Sequence, residues 1–250
     1  MTPVRERTAW LQGGGADCPL SPPAVHRIWR LFLLGPPGVG KGTQAGLLSR
    51  ALGACPLSTG DLFRAARARD AAPGSAMARA RACMERGELV PDDLVLALVR
   101  ERARCLHCRG GFLLDGFPRT APQADAIDAL LATEHLTLDA VVSYELPDAE
   151  LAARISGRRV CPECKAVFHL TGHPPAADGV CDRCGAQLAQ RADDRPEAAR
   201  TRLAAYATDT APLIAHYRAC GLLLTVDATG RPEEIFARTL DALAERILAV

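Results

Sequence analysis

Lysine is almost missing from this 250-residue chain: of its 30 lysine and arginine residues, only Lys41 and Lys165 are lysine. Aromatic residues are scarce at 4%, which argues against the stacking platforms of single-stranded nucleic-acid binders. Neither sign of charge is in excess. A formal net charge of +1 leaves no global field to draw in nucleic acid or an anionic membrane surface. No apolar run approaches the roughly 20 residues that cross a bilayer. Residues 1–28 lack a continuous apolar stretch and hold Gly13-Gly14-Gly15, Pro19, Pro22 and Pro23, so they do not read as a secretory signal. They read as a disordered N-terminal extension, or as a start codon placed too early. Without an export signal the expected location is cytoplasmic. The ten cysteines are then read as reduced thiols or metal ligands before disulfides.

A hydrophobic content of 48% is ample for a core, and the length fits one domain with inserts or two small domains. Short unbroken apolar runs at Leu31–Leu34, Phe112–Leu114, Ala140–Leu146 and Leu222–Val226 read as strands covered on both faces. Cys55–Ser58 reads as a shorter one. Helical patterns lie between them at Leu94–Arg104, Pro122–Leu131, Asp148–Ser156 and Pro196–Ala219. The last has Pro196 and Glu197 as a start signal and Gly221 as a stop. Alternation of this kind predicts an α/β fold with an open parallel sheet of five strands flanked by helices.

Glycines crowd one strand-to-helix junction: Gly35-Pro36-Pro37-Gly38-Val39-Gly40-Lys41-Gly42-Thr43. A strand, a glycine loop, a lysine and a helix, in that order, form a phosphate-binding loop. Glycines let backbone N–H groups turn inward around phosphate oxygens, and the helix N-terminus adds partial positive charge. A chain that otherwise uses arginine places one of its two lysines here. Gly42 occupies the position where the general pattern has Ser or Thr, and the hydroxyl follows one residue later at Thr43.

Residues 157–194 break the alternation. This 38-residue stretch contains Pro, Gly, His and four cysteines, too little apolar surface to fold without a staple. Cys161-x2-Cys164 and Cys181-x2-Cys184 stand 16 residues apart. Two such knuckles supply the four thiolates that a structural Zn²⁺ takes in tetrahedral geometry, with no open position for catalysis. His169 and His173 then read as solvated loop residues. Cys105-Leu106-His107-Cys108 has no second pair nearby and reads as structural or incidental. Cys18, Cys55, Cys83 and Cys220 fit no pattern.

Taken together, GPPGVGKGTQA (35–45), STGDLFR (58–64), GFLLDGFPRTAPQ (111–123), GRRV (157–160) and RADDRPEAARTRL (191–203) resemble the adenylate kinase family from about residue 30 to 250. The cysteine stretch is similar to the long lid of the zinc-containing bacterial form. The resemblance implies a nucleotide-binding core at 29–57, 88–156 and 195–250, an AMP-binding flap at 58–87 and a lid at 157–194. It implies a monomer that converts ATP, with Mg²⁺, and AMP into two ADP, and no nucleic-acid or membrane partner.

By resemblance, Gly38, Val39, Gly40, Lys41, Gly42 and Thr43 hold the ATP phosphates. Arg154, Val167, Phe168 and Gly230 then flank its adenine, and Asp115 holds Mg²⁺ through water. Arg64 and Arg119 grip the AMP phosphate, while Thr59, Glu88, Leu89, Val90, Gly116, Phe117, Pro118 and Gln123 line the rest of the AMP site. Lys41, Arg119, Arg158, Arg191 and Arg202 act on the transferring group, with Arg158 and Arg191 arriving on lid closure. Arg is suited to this because its planar fork binds phosphate bidentately.

Other arginines, namely Arg67, Arg69, Arg79, Arg81, Arg100, Arg102, Arg104 and Arg200, read as solvated. Asp61 reads as a cap for the helix that follows it. Asp193 and Asp194 read as caps for the helix at Pro196, as a lock on the closed lid, or as both. A kinase with another acceptor or donor base, such as a GTP:AMP enzyme, and a zinc-ribbon nucleic-acid-binding ATPase remain as alternatives.

Overall fold

The runs at Leu31–Leu34, Phe112–Leu114 and Ala140–Leu146 become interior strands of one sheet, because a strand covered on both faces can dispense with polar positions; the Leu222–Val226 run, expected to be covered on both faces, instead forms an edge strand that is only partly buried. The computed structural model describes residues 8–12, 27–65 and 76–248. Helix α1 (Thr8–Gln12) precedes β1 (Trp29–Leu34), α2 (Lys41–Leu52), β2 (Cys55–Ser58), α3 (Thr59–Ala65), α4 (Ala76–Arg86) and α5 (Asp92–Glu101). Next come β3 (Gly111–Asp115), α6 (Ala121–Thr133), β4 (Ala140–Glu145) and α7 (Asp148–Gly157). The chain continues through β5 (Arg158–Val160), β6 (Val167–His169), α8 (Pro196–Ala205), α9 (Pro212–Ala219), β7 (Leu223–Asp227) and α10 (Pro232–Leu248).

Five parallel strands stand in the order β2-β3-β1-β4-β7. Strand β1 is central, with β3 on one side and β4 on the other. Its C-terminal end is therefore the switch point at which an open α/β sheet leaves a crevice for ligands. The two-residue period divides its side chains. Phe32 and Leu34 pack with Phe112, Leu114, Val99, Ile127 and Tyr217 on one face. Leu31 and Leu33 pack with Leu48, Leu113, Val142, Ile235 and Leu243 on the other. Strands β5 and β6 form a separate antiparallel pair in the lid, with Arg159 opposite Phe168.

Several expectations change in three dimensions. Residues 8–12, expected to be disordered, form α1, and Trp10 is 1% exposed in the main core. The expected Pro196–Ala219 helix is three pieces, with a π-helical turn at Tyr206–Thr210 between α8 and α9. Pro212 has no N–H to donate, and the Ala211 N–H reaches back five residues to Tyr206 O at 2.8 Å. Asp61 does not cap α3: its own N–H donates to Ser58 Oγ at 3.2 Å, so Ser58 takes the capping role. Arg102, expected in solvent, is 7% exposed and donates to Trp10 O at 2.7 Å. Cys18, Arg67, Arg69 and the middle of the expected flap, residues 66–75, lie outside the described residues.

The cysteine reading changes most. Cys55 and Cys108 form a disulfide across 53 residues of sequence, joining the start of β2 to the approach to β3. Sequence spacing could not pair them, because contact depends on β2 and β3 being sheet neighbours. The closed loop contains α3, α4 and α5, and cross-linking a loop of this length restricts the unfolded chain. Cys55→Ser is expected to destabilise the oxidised protein by about 3 kcal/mol, a fall in Tm of roughly 10 °C. Calorimetry of the two proteins without reductant checks this, and equal Tm values would remove the cross-link's role.

Candidate active site

The loop between β1 and α2 is threaded where side chains cannot follow. A Cβ on Gly35 (φ 136°) would lie 2.7 Å from Tyr144 O, and one on Gly38 (φ 86°) 2.6 Å from Ile155 Cγ1. Both positions therefore demand glycine. Helix α2 starts without a side-chain cap, which leaves its first N–H groups free to face an anion. Gly42 and Thr43 are exposed at this helix start. Lys41 Nζ lies over its own loop, donating to Gly35 O at 2.6 Å and Pro36 O at 3.0 Å. Desolvation in the cleft brings its pKa down to about 7; Asp115 opposes the shift, while Arg119, Arg202 and Arg158 add to it.

Asp115 ends β3 beside Leu33 of β1 and Ser58 of β2. A Cβ on Gly42 would lie 3.7 Å from its Oδ2, so this carboxylate faces the phosphate loop. Desolvation raises its pKa, and Lys41 opposes that rise. The next residues turn sharply. Gly116 O accepts from Thr59 Oγ1 at 2.9 Å and from Arg119 Nε at 2.7 Å. The Phe117–Pro118 peptide bond is cis.

Two residues that the sequence did not point out hold this turn. Asp92 accepts from Gln123 Nε2 at 2.6 Å and Thr120 Oγ1 at 2.8 Å, while Gln123 Oε1 takes the Arg119 N–H at 2.8 Å. Gln123 is 2% exposed, so its amide is already engaged at both ends within the protein. Thr210, on the π-helical turn, donates to Arg119 O at 2.8 Å. Nothing in the sequence marked Asp92 or Thr210, because their partners lie 28 to 91 residues away.

Five arginines gather where α3, α8, the turn after β3 and the ends of the 158–194 segment meet. Arg158 donates to both carboxylate oxygens of Asp194, at 2.8 Å from Nε to Oδ2. Arg202 lies 3.2 Å from Asp194 and 3.3 Å from Asp193, and Arg64 reaches Asp193 at 3.9 Å and Asp61 at 2.9 Å. Asp193 and Asp194 are buried. They do not cap α8, whose start has no side-chain cap; guanidinium groups take their oxygens instead. Desolvation and then repulsion between neighbours bring Arg119 down to about 10 and Arg191 to about 10, and lower Arg202. Desolvation would raise the Asp193 carboxyl, but Arg202, Arg64, Arg158 and Arg191 outweigh it and hold it below the usual carboxylate range. These are cations drawn into a dry, mutually repulsive cluster, which an anion would relieve.

On the other side of the loop, Arg154 donates to Ala228 O at 2.9 Å, Gly230 O at 3.4 Å and Val39 O at 3.4 Å. It ties the phosphate loop to the turn before α10. Phe168 is buried in the lid's own small core and stacks on His173 at 5.6 Å, while Val167 is exposed. Of the two histidines expected in solvent, His173 is exposed, whereas His169 is partly buried and hydrogen-bonded. His169 Nδ1 accepts from Thr171 N–H at 3.2 Å and Gly172 N–H at 3.0 Å. Gly87 packs against the Ala198 backbone, Leu89 is partly buried and Val90 buried; Glu88 is exposed and paired with Arg86.

In the lid, Cys161, Cys164, Cys181 and Cys184 bring their sulfurs within 4.8 Å of one another. Two of the gaps are 3.4 and 3.5 Å, close to the roughly 3.8 Å edge of a tetrahedron with 2.3 Å metal–sulfur bonds. Cys164 N–H donates to Cys161 Sγ at 3.4 Å, an orientation that favours a thiolate. The donor set fits Zn²⁺. Among the described residues no helix is long and apolar enough to cross a membrane.

The family model for adenylate kinase matches residues 33–222. An adenylate kinase of Carboxydothermus hydrogenoformans is 48% identical over 214 residues, covering 86% of this chain and 99% of the relative. One from Streptomyces griseus is 48% identical over 216 residues, with 86% and 97% covered. One from Acidothermus cellulolyticus is 49% identical over 214 residues, with 86% and 97% covered.

The depressed Lys41 pKa predicts proton-linked binding. Phosphate oxygens favour the charged amine, so binding ATP raises a pKa that starts near 7. Affinity is then complete below about pH 7 and falls as pH rises toward the pKa of the bound state. Calorimetry at pH 8.5 in buffers of different ionisation enthalpy should show uptake of about one proton per ATP, and none in Lys41→Met.

Proposed function

The chain belongs to the adenylate kinase family, and from that premise we propose that it transfers the terminal phosphoryl group of ATP reversibly to AMP, giving two ADP. The observation that carries this reading is the gathering of Lys41, Arg119, Arg191 and Arg202, cations that burial and neighbouring guanidiniums make less basic, beside Arg64 and Arg158, which pair with Asp193 and Asp194. Phosphoryl transfer needs positioning and charge neutralisation more than covalent catalysis.

An AMP phosphate oxygen attacks the terminal phosphorus of ATP, and the bond from that phosphorus to the bridging oxygen of ADP breaks. Lys41, the loop N–H groups of 38–43 and Arg154 position ATP. Arg64 and Arg119 orient the attacking phosphate, with Arg119 braced by Gln123 and Thr210. Thr59, Gly116 and the 88–90 segment line the nucleoside part of the AMP site. Arg158, Arg191 and Arg202 meet the charge on the transferring group. Closure of lid and flap over this crevice excludes the water that would otherwise hydrolyse ATP. Asp115 would hold Mg²⁺ through water, and the ion would neutralise charge on the ATP phosphates. Zn²⁺ held by Cys161, Cys164, Cys181 and Cys184 would make the lid one rigid body and take no part in the reaction. The enzyme acts as a cytoplasmic monomer.

Lys41→Ala and Arg119→Ala should each lose on the order of 10²-fold or more in turnover while keeping the wild-type circular dichroism spectrum. ADP formation with AMP, CMP, UMP and GMP as acceptors measures this, and full turnover by both variants would sink the assignment. Metal analysis of purified protein should find about one Zn per chain. Cys161→Ala should lose that metal and melt at a lower temperature; an unchanged Tm would mean that the four thiols staple nothing.

A further inference from the structure

We propose that Trp10 is a positioning residue for the AMP-binding half of the site, docked there from the N-terminal segment. The inference rests on the AMP reading above. The family match begins at residue 33, so α1 lies outside the part of the chain that carries it. Even so, Trp10 is 1% exposed, one of the largest fully buried side chains in the protein. Its indole N–H donates to Ser58 O at 2.9 Å, across 48 residues of sequence. Its own carbonyl accepts from Arg102 Nε at 2.7 Å. Arg102 is itself 7% exposed, and it donates to Leu98 O at 3.3 Å and pairs with Glu101 at 3.0 Å. A buried guanidinium on one side and a buried indole on the other make this a built joint, because neither polar group would be buried without its partner.

The joint sits at the root of the flap. Ser58 ends β2, one of the sheet's two edge strands, which has β3 on one side only. Its hydroxyl accepts the Asp61 N–H, and Asp61 pairs with Arg64 at 2.9 Å. The next residue, Thr59, donates to Gly116 O, which also accepts from Arg119. Leu62 and Phe63 of α3 share the core cluster that holds Trp10. By holding the 58–59 peptide, the indole fixes the direction in which Thr59 and Arg64 leave the sheet. Without the N–H, the root samples other orientations, and AMP binding must restore the productive one.

The test uses the full chain. Trp10→Phe keeps most of the apolar bulk and removes the donor. Loss of one net hydrogen bond, about 1 kcal/mol, should raise both the AMP dissociation constant in equilibrium dialysis and KM for AMP about fivefold. KM for ATP should stay unchanged. Trp10→Ala should do more, and if it fails to fold, Trp10→Phe alone decides. A lower Tm with unchanged AMP affinity would make Trp10 a packing residue only and overturn the proposal. The chain has two tryptophans, so Trp29→Phe leaves Trp10 as sole fluorophore. Its emission should be blue-shifted and protected from acrylamide; quenching like that of free tryptophan overturns the docking. Wild-type protein that neither binds nor phosphorylates AMP overturns the AMP reading and this proposal with it. A protected Trp10 with unchanged AMP affinity overturns the proposal alone.

Discussion

Mutual repulsion between cations held in a poorly hydrated crevice is the constraint around which the rest of the structure is arranged. Lys41, Arg119, Arg191 and Arg202 are each made less basic by desolvation, and neighbouring guanidiniums deepen the effect. Such a cluster holds together only if something balances it. Here Asp193 and Asp194 take the guanidiniums of Arg158, Arg202 and Arg64, and Lys41 turns back onto the carbonyls of Gly35 and Pro36. These contacts leave a group of cations balanced only by carbonyls and shared carboxylates, an arrangement that a more highly charged anion would stabilise further.

The scaffold supplies what the charges cannot. A parallel sheet with β1 at its centre puts the phosphate loop, Asp115 and the end of β2 along one edge. Strand β2 is the weak member, short and at the margin. Two ties act on it: the Cys55–Cys108 disulfide at its start and the Trp10 indole at its end. Both fasten the strand from which the flap departs.

Much of this was legible in the residues. The phosphate loop follows from Gly35, Gly38, Gly40 and Lys41 in local order, since strand, turn and helix start are set by neighbours in sequence. The two cysteine knuckles are local in the same way, and 16 residues between them is a short chain to close. Four of the five core strands could be placed from unbroken apolar runs, but the edge position and partial burial of β7 could not, because which strand ends the sheet depends on pairing between distant segments. Edges and breaks were harder. The Tyr206–Thr210 turn interrupts a pattern that otherwise looks like one helix, and Pro212 was the only hint.

Pairings across long separations could not be read at all. Arg102 looks like any other arginine, and only folding places it against Trp10, which is 92 residues away. Cys55 and Cys108 carry no spacing signal, nothing marks Asp92, and Asp193 and Asp194 read as caps of α8, as a lock on the lid, or as both. The sequence by itself determined the chemistry on offer: a phosphate loop, a cluster of four cysteines with metal-ligand spacing and an unusual reliance on arginine. Tertiary structure alone decided which of those arginines meet one another and what braces the strand beneath the flap. Local motifs depend on bonds within a few residues, whereas the sign and strength of a buried charge interaction depend on which distant groups share the same low-dielectric space.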